Sequence, residues 1–246
     1  MKTTIIVPCY NEENRLPLDS FKAFIEKHPD CSLLFVNDGS KDNTLTVLND
    51  FAKKHPTIQI YDLSKNSGKA EAVRQGVLHA IKDHPDFIAF YDADMATPAK
   101  DLHAMIELAN KQAYYMVVGS RILRLGGDID RKFLRGIMGR VFANIASRVL
   151  QGLRVYDTQC GAKVFRTSVA EQIFDKPFIT NWIFDVELFA RMISLFGIQE
   201  IYKKVYEFPL SAWHDVHGSK IKKRDFIRQI FDMYKIKKHY KLNKLS

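Results

Sequence analysis

The sequence predicts an α/β fold with a mostly parallel central sheet flanked by helices. Three observations carry that reading. Strand-like apolar runs alternate with helical segments four times over, the pattern of a sheet covered on both faces. The ends of four of those runs carry polar clusters, and strand ends on one sheet edge face one crevice. The chain has 246 residues, of which 46% are apolar, which suits one large domain with a full core.

Thr3 to Val7 is β-branched and apolar, a first strand. Proline and asparagine in Pro8-Cys-Tyr-Asn-Glu-Glu13 end it and open a loop. Tyr10 can lie against a planar base, and Glu12 can accept hydrogen bonds from a ribose or base; the plainer reading is a turn with solvated acids. Leu18 to His28 is an amphipathic helix with Leu18, Phe21, Phe24 and Ile25 on one face. Ser32 to Val36 is the second strand, ending in Asn37-Asp-Gly-Ser-Lys-Asp-Asn-Thr44. Gly39 permits a positive-φ turn, and Asp42 or Asn43 caps a helix running to Lys54. Asp38 either accepts the imide N–H of a uracil or holds the Gly39-Ser40 turn. Ile58 to Leu63 is the third strand. Asn66-Ser-Gly-Lys69 then opens a helix over 70–82. A glycine and a lysine at a helix start suit phosphate, although Lys69 taken alone reads as a surface lysine rather than a ligand. Neither a Walker P-loop nor a G-x-G-x-x-G fingerprint is present.

The fourth strand is Phe87 to Tyr91, followed at once by Asp92-Ala-Asp94. Two carboxylates one residue apart at a strand end suit a hard divalent cation, Mg²⁺ or Mn²⁺, which in turn holds a diphosphate. The plainer role for Asp94 is to cap the helix after Pro98, whose Leu102, Met105, Ile106 and Ala109 share one side. Tyr114 to Val118 is the fifth strand and ends in Gly119-Ser-Arg121. Gly126-Gly127 marks a mobile loop over 122–130. A long helix over 131–150 bears Arg131, Lys132, Arg135 and Arg140, either solvated or turned to an acceptor phosphate. Asp157-Thr-Gln-Cys-Gly161 leads into another strand; Asp157 is a base, an acceptor ligand or a turn residue. Asp185 and Glu187 sit in an apolar segment entering a helix that ends near Gly197, where charge is costly unless paired or used as a cap. Glu200 to Phe208 reads as a late strand, and His214 to Lys220 as a flexible loop in which Lys220 adds charge near phosphates.

The net charge of +9 points to an anionic partner. Much of it lies beyond residue 220, where Phe226, Ile227, Ile230, Phe231, Tyr234 and Ile236 interleave with lysines and arginines. That spacing divides the chain into a domain over 1–220 and a basic amphipathic tail over 221–246, which either lies on an anionic membrane surface or packs on the domain. No apolar run reaches the roughly 20 residues of a bilayer span. No signal peptide is visible, and Cys9, Cys31 and Cys160 form neither a disulfide framework nor a zinc spacing, which suits a cytoplasmic protein, peripheral on the membrane. A basic tail also fits nucleic acid, but that leaves the acidic crevice unexplained, so no nucleic-acid partner is expected. A nucleotidyltransferase would show a glycine-rich basic signature near the N-terminus, and none is there. A non-catalytic nucleotide-binding module is the remaining alternative of another class.

Val7-Pro-Cys-Tyr-Asn-Glu-Glu13, Val36-Asn-Asp-Gly-Ser-Lys-Asp-Asn-Thr44, Asp92-Ala-Asp94, Gly119-Ser-Arg121 and Asp157-Thr-Gln-Cys-Gly161 together resemble the family 2 glycosyltransferases of GT-A fold. Within these, the pattern is similar to the dolichyl-phosphate β-glucosyltransferase and dolichol-phosphate mannose synthase branch, and the stretches 157–165 and 182–188 favour the glucosyltransferase side. The resemblance implies an inverting, metal-dependent transfer of a hexose, glucose by preference, from a UDP-sugar to a polyprenyl phosphate; a saccharide acceptor in surface polysaccharide synthesis is the alternative. It implies that Pro8, Tyr10, Glu12 and Asp38 bind base and ribose, and that Lys69 lies near the nucleotide. Asp92 and Asp94 would hold the metal, while Arg121 and Arg135 approach phosphates. The mannose synthase pattern has a Gln two residues past its second Asp, where this chain has Ala96. A phosphate acceptor needs no base; for a hydroxyl acceptor the candidates are Asp157 and Asp185.

Overall fold

The computed structural model describes residues 1–130, 133–214 and 223–242, and of residues 133–137 and 223–227 the helical backbone alone. Its strands are Thr3–Cys9 (β1), Cys31–Asp38 (β2), Ile58–Leu63 (β3), Phe87–Tyr91 (β4), Met116–Ser120 (β5), Asp128–Asp130 (β6), Ala162–Arg166 (β7), Val205–Pro209 (β8) and Ala212–His214 (β9). Its helices are Leu18–Lys27 (α1), Thr44–Ala52 (α2), Lys69–Ala80 (α3), Ala99–Lys111 (α4), Phe133–Val149 (α5), Thr167–Ile173 (α6), Phe184–Phe196 (α7), Ile198–Lys204 (α8) and Lys223–His239 (α9).

Seven strands form one sheet in the order β3-β2-β1-β4-β7-β5-β8, and β6 pairs with β9 beside it. β1 to β4 run parallel, as does β8 to β5, but β7 is antiparallel to both β4 and β5. The central strands are buried on both faces, with Ile5, Phe35, Ile88, Phe90 and Val117 at most 1% exposed. This is why β4 reads as an unbroken apolar run. α1 buries Phe21, Phe24 and Ile25, and α4 buries Leu102, Met105, Ile106 and Ala109, the faces their periodicity predicts.

The reversed strand decides where the site residues meet. In a parallel strand the carboxyl end lies on the ligand edge. An antiparallel strand brings its amino end to that same edge, so the residues before β7, Asp157 to Gly161, reach the crevice without a further crossover. The register Tyr91↔Ala162 sets Gly161 beside Asp92.

Three local expectations are corrected. The predicted strand over 200–208 is helical as far as Lys204 and extended only from Val205. Gly197 both ends α7 and opens α8, and Ile198 and Ile201, three apart, are the residues α8 buries. The loop over 122–130 closes in β6, which pairs in parallel with β9. His214, expected in a loop, is the last residue of β9, with Nε2 3.0 Å from Asp128 Oδ2. His217 and Lys220 lie outside the described residues.

Candidate active site

The end of β4 is the centre of the site. Asp92 donates its N–H to the Gly161 carbonyl at 2.9 Å. A Cβ on Gly161 would lie 1.8 Å from Asp92 Oδ2, so only glycine leaves room for this carboxylate. Lys69, the first residue of α3, donates from Nζ to Asp92 Oδ1 and forms an ion pair with it. Asp94 is exposed, and its Oδ1 accepts the Ala96 N–H at 3.0 Å. That bond is local to the turn; α4 starts at Ala99 with Pro98 as its N-cap and no side-chain cap, so Asp94 is not the cap of α4. Met95, just past Asp94, takes φ +49, a conformation costly for a residue with a side chain, and its N–H donates to the Asp92 carbonyl at 3.1 Å, closing the turn that carries both carboxylates. Desolvation in the crevice and the charge of Asp92 both raise the Asp94 pKa.

Behind this pair lies a second set of charges. Lys163 on β7 is fully buried, and its Nζ donates to Asp185 Oδ1 at 2.6 Å and to the Cys160 carbonyl at 2.8 Å. Its ammonium sits 4.8 Å from the centroid of the Phe90 ring. Asp185 stands in the first turn of α7, where burial raises its pKa against the pull of Lys163 and Lys69. For Lys69, desolvation is outweighed by Asp92, Asp185 and Asp94, and its pKa is raised. Lys69, Asp92, Asp94, Lys163 and Asp185 therefore share one electrostatic neighbourhood.

Arg121, just past β5, makes a forked ion pair with Asp157, Nε to Oδ2 at 2.6 Å and Nη2 to Oδ1 at 2.8 Å. Its guanidinium lies 5.2 Å from the Trp213 ring. Glu207 on β8 fixes the loop beneath by accepting the N–H groups of Tyr156 at 2.9 Å and Asp157 at 2.6 Å. This forked geometry orients Arg121 toward the crevice and commits Asp157 to it.

The loops after β1, β2 and β3 form the other wall. Pro8 lies within β1, and Tyr10 is half-buried just beyond it. Glu12 accepts from Arg15 at 2.7 Å, and its own N–H donates to Thr44 Oγ1 at 2.8 Å. Asp38, 2% exposed, accepts the N–H groups of Ser67 at 2.7 Å and Gly68 at 2.8 Å, and the Asn66 side-chain amide at 3.1 Å. Burial pushes its pKa up against those two backbone donors. The turn it organises is thus the one after β3, across from Gly39, whose φ of +61 and contact with Asn66 N (2.4 Å from an added Cβ) exclude a side chain. Asp42 rather than Asn43 serves the start of α2, accepting the Thr44 N–H at 3.0 Å.

Of the residues singled out in the sequence, Asp92, Asp94, Lys69, Arg121, Asp157 and Asp185 gather at the sheet edge, with Pro8 in β1, Asp38 at the end of β2, and Tyr10 and Glu12 on the loop after β1 beside them. Arg135 belongs to α5, but its side chain is outside the description, as is Lys220 altogether. Sequence reasoning missed Gly161 and Lys163 as site-builders. Their signal was available: a glycine just before an apolar strand, and one lysine inside that strand. Glu187 has a structural task. It is buried, accepts from Arg191 Nη2 at 2.7 Å and Ile179 N at 3.0 Å, and receives the Tyr240 hydroxyl at 2.8 Å.

Asp92 and Asp94 fit a divalent cation of the kind that takes one or two protein carboxylates and completes its shell with substrate phosphate and water. Among the described residues no cluster of three or more His, Cys, Asp or Glu side chains is arranged to hold a metal by itself.

Fold and site together define an α/β protein with a carboxylate-lined ligand crevice at the strand ends. The glycosyl transferase family 2 model matches residues 4–174, well over half of the chain, and the chain belongs to that family. It is 33% identical over 250 residues to a dolichyl-phosphate beta-glucosyltransferase of Trichomonas vaginalis, covering 95% of this chain and 70% of that protein. The dolichyl-phosphate beta-glucosyltransferase of Dictyostelium discoideum is 32% identical over 233 residues, with 89% and 68% covered. In fold, the chain is similar to glucosyl-3-phosphoglycerate synthase of Mycobacterium tuberculosis, solved with Mn²⁺, UDP and phosphoglyceric acid. The TM-score is 0.69 at 13% identity, over 96% of this chain and 78% of that one. The same enzyme has been solved with Mg²⁺ and UDP, at a TM-score of 0.65 and 13% identity, over 96% and 79%. The architecture is the GT-A fold, and the protein is a glycosyltransferase.

Proposed function

We propose that the protein transfers glucose from UDP-glucose to a polyprenyl phosphate, dolichyl phosphate or a lipid of the same kind, with inversion at the anomeric carbon. The observation that carries the reading is the convergence of Asp92 and Asp94 with Lys69 and Arg121 at one sheet edge, in a chain about a third identical to dolichyl-phosphate β-glucosyltransferases. In this reading Pro8, Tyr10, Glu12 and Asp38 line the base and ribose subsite. Asp92 and Asp94 would hold Mg²⁺ or Mn²⁺. When bound, such an ion offsets the charge that grows on the departing diphosphate.

The chain's own residues supply the rest. Lys69 stands between Asp92 and Asp185 and can turn its ammonium to the donor phosphates. Arg121, oriented by Asp157, directs its remaining N–H groups to donor or acceptor phosphate. Arg135 and Lys220 are assigned to the acceptor phosphate. The acceptor oxygen bonds to the anomeric carbon as the bond to UDP breaks, and the electron pair leaves on the β-phosphate. A phosphate monoester has a second pKa of about 6, so it arrives ionised and no proton has to be removed. Positioning then supplies much of the rate. Asp157 and Asp185 are each held by a cation, which favours an acceptor that brings its own charge over a hydroxyl acceptor. Such a lipid lies in a bilayer, so the reading includes contact with a membrane surface. Three buried free thiols, Cys9, Cys31 and Cys160, support a cytoplasmic setting. No helix among the described residues is long and apolar enough to cross a membrane.

The test is turnover with a panel of UDP- and GDP-sugars, Mn²⁺ or Mg²⁺, and a short-chain polyprenyl phosphate. Metal-dependent glucosyl-lipid is the expected product, abolished in Asp94→Ala with the fold intact. UDP release with sugar appearing only on added saccharide would replace the lipid acceptor by a hydroxyl one.

A further inference from the structure

We infer that the outward stripe of α9 is the surface by which the protein docks on an anionic lipid leaflet. α9 packs against α5 and α7. It buries Gln229, Asp232, Met233 and Ile236 against them, each at most 9% exposed. The opposite side carries Arg228, Phe231, Tyr234, Lys235 and Lys238, all exposed, and Lys241 is exposed just past the helix end. At 3.6 residues per turn the five residues within α9 fall in an arc of roughly 120°. Phe231 is 64% and Tyr234 58% exposed, an unusual placement for two aromatic rings on a helix that already has a buried face. Rings between basic side chains are the composition of an interfacial helix, with the rings at headgroup depth and the cations on lipid phosphate.

Charge complementarity selects the partner. Among the described residues of the stripe none is acidic. Asp232 is buried and accepts from Lys235 at 2.7 Å. On α5, which packs against α9, Met138 and Val141 are also exposed, at 41% and 45%.

The docking of α9 also fixes the surface relative to the crevice. The Tyr240 hydroxyl, just past α9, donates to Glu187 at 2.8 Å and accepts from Arg191 Nε at 3.0 Å. Glu187 and Asp185 are two residues apart in α7 and so point to opposite sides of that helix. The crevice and the inner side of the end of α9 are then separated by about one helix diameter, roughly 10 Å, and the outward stripe lies about one further diameter out. A lipid phosphate would be drawn up past α9 to reach the site. This step rests on the lipid-phosphate reading above; the docking itself does not.

The test is co-sedimentation of the full chain, without donor, on phosphatidylcholine vesicles and on mixed phosphatidylcholine–phosphatidylglycerol vesicles. Binding to the mixed vesicles is expected, weakening as salt is raised. Lys238→Glu/Lys241→Glu should cut it by about tenfold or more, and Phe231→Ala/Tyr234→Ala should also weaken it, with thermal melts showing both variants folded. Transfer to a short-chain acceptor in solution should be unchanged in both. Vesicle binding that is absent, or that both variants retain in full, overturns the proposal, as does loss of RNA binding in these variants with vesicle binding retained. An inactive enzyme that still partitions as described would sink the lipid-phosphate reading alone.

Discussion

Replacing Gly161 with alanine would put a methyl group where the Asp92 carboxylate lies. The carboxylate must move, because the neighbour on its other side is the Lys69 ammonium. A misplacement of about 1 Å in a catalytic constellation can cost about 10²-fold in rate. Gly161→Ala should therefore lower kcat by about that factor with little loss of Tm, read by steady-state kinetics and a thermal melt. Lys163 makes the converse prediction. Lys163→Met leaves Asp185 buried without its partner and should destabilise by about 3–5 kcal/mol in urea unfolding. Adding Asp185→Asn should restore part of that loss, since no buried charge is then left unpaired. The acidic pair was not singled out by its own spacing, since Asp-x-Asp past a strand also suits a loop start and a cap; the polar clusters at the other strand ends drew attention to it. The lysine drew none. A single lysine in Ala162-Lys-Val-Phe165 reads as a solvent-facing position until α7, which brings Asp185, is known to cover that face. Asp38 shows the same limit. Its place just past a strand was readable, but its backbone partners come from a turn thirty residues on, which no local pattern specifies.

At the scale of elements, periodicity located strands β1 to β4 and helices α1 to α4 because each has one clear burial pattern. It failed at 198–209, where a two-turn helix runs directly into a strand and the apolar spacing of the two merges. It also left the direction of β7 open, since a strand's sequence does not record which way its neighbours run. Glu187 and Arg191 stand four apart in the apolar α7, and that spacing was the available sign of a buried pair. Arg191 donates as well to the carbonyls of Ile173, Lys176 and Pro177, at 2.8, 2.7 and 2.7 Å. Arg191→Met should thus cost about 3–5 kcal/mol. Glu187→Leu on top of it should recover only part, since those three carbonyls stay without their donor. Tyr240 gives this cluster a pH signature. Burial, then its bond to Glu187, pushes its pKa up to about 12, against about 10 for a free tyrosine. The folded state keeps this proton longer than the unfolded state. Its contribution is complete below about pH 10 and is lost as pH rises toward 12. Between pH 9 and 11, the Tm of the parent should fall more steeply than that of Tyr240→Phe.

For the whole molecule, the crevice makes ligand binding measurable as stability. A ligand that binds only the native state stabilises it by about 2.7 kcal/mol at a hundred times its Kd. UDP with Mn²⁺ should raise Tm more than UDP alone, and Asp92→Asn/Asp94→Asn should remove that difference; an equal rise in the double variant would dissociate the pair from the metal. The sheet order has one more consequence, for synthesis. β4 cannot bond to β5 directly, because β7 lies between them and is made some seventy residues after β4. As the chain leaves the ribosome, β1 to β4 can pair, but the free edge of β4 is apolar and unprotected until Ala162–Arg166 arrives. Only then can β5, already waiting, and later β8 join the sheet. Ribosome stalling short of residue 162 should yield nascent chains that bind holdase chaperones, and stalling far enough past 166 for β7 to emerge should release them.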